Sequence, residues 1–235
     1  MSAILVTRPG GEADPLVGVL KAAGYRVHSV PTFVTRPLEF HRPEIARYDW
    51  VVVTSTAGVD ALDDFPVGPR WAAVGPATAR ALRARGIEPG LVPDESNGLA
   101  LANAIPDVDG KSVLLVRAAA AAADLPARLR ERGARVDELH AYSTEEGPAS
   151  SAALLAAALA DAHLSAVVFA SGSAVRGYIA LGGTPAWPAI TIGPRTTEVA
   201  RRFGFRVIAE AHEQSPEALA TAVVGAIPVE ESNRA

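Results

Sequence analysis

The chain has 235 residues, 49% hydrophobic, 20% charged and 6% aromatic, with a formal net charge of −4 and no cysteine. That length suits one large domain or two small ones, and the charge balance excludes a general attraction to nucleic acid or an acidic membrane. The missing thiols exclude a disulfide scaffold, a thiolate metal site and a cysteine nucleophile.

The N-terminal residues run straight into a strand pattern, so no secretory signal is expected. No apolar run reaches the roughly 18–20 residues of a membrane span. The histidines at 28, 41, 140, 163 and 212 lack metal-ligand spacing. A cytoplasmic α/β protein is expected, with chemistry drawn from hydroxyls, carboxylates, arginine, a tyrosine and backbone amides.

In chain order the pattern predicts a strand over Ala3–Thr7, a helix over Pro15–Ala23 and strands over Tyr25–Val30, Trp50–Thr54 and Trp71–Val74. A helix over Ala77–Arg85 follows, then strands over Gly90–Val92 and Ser112–Val116, a helix over Leu125–Arg132 and a strand over Arg135–Leu139. The remainder reads as helix Ala152–Ala160, strands Ala166–Phe169 and Ala189–Ile192, helix Arg195–Phe203, strand Phe205–Ile208 and helix Pro216–Ala226. Strand–helix alternation with near-continuous apolar strands signals parallel sheets covered on both faces. Gly24, Gly86, Gly133 and Gly204 each follow a predicted helix, as left-handed C-terminal caps do.

The chain also repeats itself. Val51–Val59 resembles Val167–Val175, and Ala73–Thr78 resembles Thr191–Thr196 at nearly the same offset. A fainter repeat pairs Leu5–Arg8 with Leu114–Arg117. The order is A–B–A′–B′, two strands in each A and three in each B, which implies two flavodoxin-like parallel sheets. Long connections at Pro31–Asp49 and Ser143–Ser151 suggest crossings between domains, whereas Pro106–Lys111 is an ordinary short loop. The expected organisation is a discontinuous first domain, 1–33 plus 146–226, around an inserted second domain, 37–140, with a polar tail at 227–235. Two crossings side by side would make a hinge and a cleft.

Common signatures fail. Gly110–Ser112 lacks the first P-loop glycine, there is no dinucleotide glycine fingerprint, and His212-Glu213 lacks a second zinc-binding histidine. What remains is a symmetric set of turns just past strand carboxyl ends, where ligands of open α/β sheets bind. They are Thr7-Arg8, Thr54-Ser55-Thr56, Gly75–Thr78, Ser171-Gly172-Ser173 and Gly193–Thr197. Glycines and small hydroxyls let a ligand reach the backbone, and helix N-termini attract anions. Each hydroxyl can equally be a helix cap worth about 1 kcal/mol. Lys21 and Lys111 are the only lysines among 22 basic residues, and arginine suits carboxylate binding. Arg8 and Arg117 hold equivalent strand ends. Tyr142, in the second crossing, is either a packing aromatic or a proton donor.

Leu5–Pro9, Val53–Ser55, Val74–Thr78, Arg132–Val136 leading into Ala141–Thr144, Phe169–Ser171 and Ile192–Thr196 together resemble the uroporphyrinogen-III synthase family. The ordered set spans about residues 3–227. The resemblance implies two flavodoxin-like domains joined by a two-stranded ladder, the first split around the second. It implies a cofactor-free, metal-free cyclisation of hydroxymethylbilane to uroporphyrinogen III, with inversion of ring D and loss of water. Tyr142 would assist departure of the terminal hydroxyl, giving an azafulvene that closes through a spiro intermediate. The eight substrate carboxylates would be held by Thr7, Arg8, Thr54, Ser55, Gly75, Thr78, Arg117, Ser171, Gly172, Ser173, Gly193 and Thr196. A monomer taking its substrate from porphobilinogen deaminase is expected, with no nucleic-acid or membrane partner.

The chain departs from the family after Arg117, where Ala118–Ala123 favours helix and offers no side-chain contacts. Either this wall is unimportant for binding or its contacts come from backbone amides. The alternative is a non-catalytic two-domain binder of an anionic small molecule, for which Tyr142→Phe would leave function intact. A flavin or nucleotide domain rests on topology alone.

Overall fold

The computed structural model describes residues 1–229. The elements in chain order are β1 (Ala3–Val6), α1 (Pro15–Ala22), β2 (Arg26–Ser29), β3 (Phe33–Pro37), β4 (Trp50–Val53), α2 (Thr56–Asp60), β5 (Arg70–Ala73), α3 (Pro76–Ala84) and α4 (Gly98–Ala104). They continue with β6 (Ser112–Ala118), α5 (Asp124–Glu131), β7 (Arg135–Glu146), α6 (Ala152–Leu159), β8 (Leu164–Phe169) and α7 (Gly172–Ala180). The last are β9 (Ala189–Thr191), α8 (Pro194–Arg202), β10 (Val207–Glu210) and α9 (Pro216–Ala226). Two compact units result, one of Met1–Val34 with the residues from Glu145 onward and one of Thr35–Thr144.

The first unit holds a sheet in the order β10-β9-β8-β1-β2, with parallel pairing along it. Strand order reverses between β1 and β8, the topological switch point of a flavodoxin-like sheet. All four β1 residues are buried, and they alternate between two cores. Ile4 and Val6 pack with Leu16, Leu20 and Leu219 on one face; Leu5 packs with Phe169, Tyr178 and Phe205 on the other. A buried side chain of this size stabilises by about 1.5–3 kcal/mol, so helices on both faces follow from strands that are apolar at every position.

The second unit holds the order β3-β7-β6-β4-β5. Its β7-β6-β4-β5 portion is parallel and winds like the first sheet. Here, however, the pair that comes last in sequence takes the place of the first two strands, so the switch point lies between β6 and β4. Val51 and Val53 face one core and Trp50 and Val52 the other.

Three local expectations are corrected. Gly90–Val92 is no ladder strand: Leu91 makes a single bridge to Ala72, because Pro89 and Pro93 flank it and lack the N–H donors that would extend pairing. The fifth strand is instead β3, drawn from a segment read as connection. The chain leaves the first unit within β3 and returns to it within β7, and these strands are sheet neighbours. Ala118–Ala123 is not helical either: Ala118 ends β6, Ala119 and Ala120 form a turn, and α5 starts at Asp124. Strand pairing and the Arg117 side chain, which donates to the Ala122 carbonyl, override alanine's helix propensity.

Of the expected tail, Ile227 and Pro228 are tied to the first unit, their carbonyls accepting from Tyr25 Oη and Ser2 Oγ. Residues 230–235 lie outside the described residues.

Candidate functional site

The two switch points are built alike. In the first unit Thr7 is fully buried and its Oγ1 donates across the reversal to the Val168 carbonyl at 2.7 Å. In the second, Thr54 Oγ1 donates to the Val116 carbonyl at 3.3 Å. Both hydroxyls bridge adjacent strands whose following connections leave to opposite faces of the sheet.

Beyond each threonine-bearing junction stands a serine that caps a helix. Ser55 and Ser171 share the same backbone angles, φ −166° and ψ 162°. Ser55 Oγ accepts from the Gly58 N–H at 3.0 Å and Ser171 Oγ from the Ala174 N–H at 3.1 Å. The capping role is therefore real in both units, and Ser55 carries something more. The phenol of Tyr142, on β7 and only 9% exposed, donates to Ser55 Oγ at 2.7 Å.

The next turn of each unit is a glycine N-cap followed by proline. Gly75 precedes α3 and Gly193 precedes α8, and neither helix start is capped by a side chain. Such starts leave N–H groups for an anion. Thr78 and Thr196, in the first turns of these helices, are buried at 3% and 5% exposure. A side chain at Gly75 would collide with Ser96, whose Oγ lies 2.5 Å from the position of its Cβ. Gly172, first residue of α7, is similarly confined by Arg176 and Val199, each 3.2 Å from a built Cβ. Ser173 Oγ accepts from Arg176 Nη2 at 3.0 Å, and the same guanidinium grips Glu146.

The two candidate arginines are engaged differently. Arg8 is partly exposed, and its Nε donates at 2.6 Å to Asp14, itself the cap of α1. Arg117 is buried at 3% exposure, bonded to Glu138 at 3.1 Å and to the Ala122 carbonyl. Its place in the structure is beneath the alanine turn, which it holds in shape. The Arg176–Glu146 pair and the chain that runs from buried Thr191 and Thr197 to exposed Glu210 are pairings that the sequence does not predict. Nothing in local pattern marks them, because their partners come together only through the sheets.

The carboxylates with strongly lowered pKa lie elsewhere. Asp49 and Asp161 sit just before β4 and β8, at the amino ends of their strands. Asp49 is lowered to about 2, first by the Ser112 backbone N–H, then by the Ser112 hydroxyl and Lys111. Asp161 is held well below the usual carboxylate range, first by His28, then by the His163 N–H and Arg26. They anchor the base of the sheets, away from the hydroxyl-bearing turns. Among the described residues no group of three or more His, Asp or Glu is placed to hold a metal ion, and no helix is long and apolar enough to cross a membrane.

Comparison with known proteins bears on this arrangement directly. The chain is 29% identical over 248 residues to the uroporphyrinogen-III synthase of Synechococcus elongatus, covering 94% of this chain and 93% of that protein. It is 24% identical over 229 residues to that of Chlorobaculum parvum, covering 88% and 92%. Among solved structures, a mutant uroporphyrinogen III synthase of the extreme thermophile Thermus thermophilus superposes with TM-score 0.69 at 19% identity, covering 96% of this chain and 97% of that one. The Helicobacter pylori enzyme superposes with TM-score 0.66 at 17% identity, covering 96% and 99%; these two show a shared fold. Residues 14–221 match the family described as uroporphyrinogen-III synthase HemD, and the chain belongs to that family.

Proposed function

We propose that the chain closes linear hydroxymethylbilane to uroporphyrinogen III, inverting ring D and expelling water, with Tyr142 as the proton donor. The observation that carries the assignment of Tyr142 is its phenol, held at 2.7 Å from Ser55 Oγ beside a switch point in a member of the uroporphyrinogen-III synthase family. The terminal C–O bond breaks with its electron pair going to oxygen, which takes the phenolic proton and leaves as water. The pyrrole nitrogen lone pair compensates the carbon, giving an electron-poor azafulvenium cation that the ring-closing pyrrole carbon attacks; the proton that this carbon sheds on rearomatisation balances the one taken from the phenol. Hydroxyl and guanidinium chemistry suffices for these steps, so the reaction runs without cofactor or metal.

The substrate's carboxylates suit the anion-attracting starts of α3 and α8 behind Gly75 and Gly193, with Arg8 and the backbone of the serine turns at 55 and 171–173 as further partners. The buried Thr7, Thr78 and Thr196 and the half-buried Thr54 contribute as the frame that shapes these turns, and Arg117 through the backbone of the alanine turn. Catalysis on this reading is mainly positioning and exclusion of the spontaneous closure that leaves ring D uninverted. The enzyme works as a cytoplasmic monomer receiving its labile substrate from porphobilinogen deaminase.

The test is to add the purified protein to deaminase turning over porphobilinogen, oxidise, and separate the isomers chromatographically. Predominantly type III porphyrin is expected. Type I alone overturns the reading.

A further inference from the structure

We infer that Ser55 and a one-residue bulge at Ala141 form a device that positions the Tyr142 phenol and then stabilises it once its proton has gone. The inference rests on the reading of Tyr142 as proton donor and adds the residues through which that donor is aimed.

The bulge is visible in the ladder between β6 and β7. Pairing runs one-to-one from Ser112 with Arg135 to Arg117 with His140, then shifts so that Ala118 pairs with Tyr142. Ala141 is the extra residue. In an unbroken strand side chains alternate between faces, so Tyr142 would point the way Val136 does, into the core with Leu115 and Leu129. Instead Leu139, Ala141 and Tyr142 all join the opposite core, with Val53 and Val59. Only the face with α2 offers Ser55, so the inserted residue carries the phenol to its partner.

The bulge is fastened from both sides. The Ala119 N–H donates to the Tyr142 carbonyl at 2.9 Å, and the Leu38 N–H donates to the Ala141 carbonyl at 3.1 Å. The alanine turn after Arg117 thus acts on the phenol through backbone alone, which explains why it can dispense with side chains. The internal repeat supplies a comparison. Phe33 follows Gly24 at the same spacing as Tyr142 follows Gly133, so the position matching Tyr142 lacks a hydroxyl, while both capping serines are kept.

Ser55 Oγ accepts two hydrogen bonds, from the Gly58 N–H and from the phenol. Its own O–H is left to donate. The phenol has a single proton, so to act as the acid it turns that proton from Ser55 to the departing hydroxyl; once the proton is transferred, the phenolic oxygen is an anion. Ser55 can then turn its proton onto that oxygen, reversing the bond and making it charge-assisted. Ser55 does not touch the reacting atoms in this scheme; it is a positioning residue that works through Tyr142.

The experiment is a double-mutant cycle on the full chain, read as kcat and KM for type III product. Ser55→Ala is expected to lower kcat about tenfold or more, the scale of a lost hydrogen bond to a charged group, with KM changed by less than about twofold. Ser55→Asn preserves helix capping without the hydroxyl and is expected to lose as much; Ser55→Thr, keeping both, is expected to retain most of the activity. In a Tyr142→Phe background Ser55→Ala should cost less than about twofold, since the group it serves is gone. Ser171→Ala, followed only by thermal unfolding, calibrates the loss of an equivalent cap. Equal losses from Ser55→Ala in both backgrounds, a threonine variant as poor as the alanine one, or a loss confined to KM overturns the inference. Type I product from the unmutated protein would instead sink the preceding functional reading.

Discussion

A Cβ built on Gly177 would lie 1.7 Å from the carbonyl oxygen of Thr32. That oxygen also accepts the Gly147 N–H at 2.9 Å, and Thr32 Oγ1 donates to the Ala174 carbonyl at 2.9 Å. The outgoing and returning segments of the chain are therefore seated on the bare backbone of α7. No side-chain rotation relieves a clash with a carbonyl, so Gly177→Ala is expected to destabilise the first unit by about 3 kcal/mol, the upper range for overpacking. Urea unfolding checks this; a midpoint within error of the parent would show that the segments can slide.

Tyr142→Phe removes the phenolic proton and the 2.7 Å bond to Ser55 while keeping the ring. Turnover to the type III isomer should fall by roughly 10²-fold or less, the lower range of general acid catalysis. Steady-state kinetics with isomer analysis decides it, and an unchanged rate would leave the phenol without an acid role.

Arg117→Leu deletes the guanidinium that ties Glu138 to the Ala122 carbonyl. A loss of about 2 kcal/mol is expected for hydrogen bonds to a charged group. Amide exchange should quicken selectively over residues 119–123. Arg117→Lys should not restore protection, since one ammonium lacks the planar fork that spans both acceptors. Protection equal to the parent's in either variant would show that the turn holds without Arg117.

Acid should reveal the carboxylate anchors. Asp49 has its pKa lowered to about 2 in the fold, and Asp161 is lowered also. A lowered folded pKa means that these groups contribute full stability above their unfolded value near pH ~4. The contribution is lost as pH falls from there through the folded value. For Asp49 the window is therefore about pH 4 to 2. Urea midpoints for the parent and for Asp49→Asn should converge across that window, the variant being the less acid-sensitive. Parallel curves would show that the Ser112 and Lys111 contacts do not favour the ionised form.

Much of this architecture is legible in the sequence. Wholly apolar strands such as Ala3–Val6 and Trp50–Val53 can only be buried on both faces, and glycines after helices, such as Gly24 and Gly133 with φ of 93° and 86°, mark where each returns to the sheet. Paired motifs around Ser55 and Ser171 announced the duplication, and those serines do share one geometry. Less legible was anything that depends on who sits next to whom. Gly90–Val92 looks like a strand but is limited to one bridge, and Phe33–Pro37 looks like connection but is an edge strand. Edge positions are decided by which neighbour offers a free ladder, and local composition does not carry that information.

The class of sheet, the repeat and the hydroxyl-rich turns are written in the sequence, which also singles out Tyr142 as a candidate proton donor. The tertiary structure decided which face that phenol takes, because a single extra residue at Ala141 shifts the register against β6 and only pairing between distant strands makes such a shift visible. It likewise turned six alanines from helix into a turn held by Arg117. Propensity is a few tenths of a kcal/mol per residue, and a buried guanidinium with two strand ladders outweighs it.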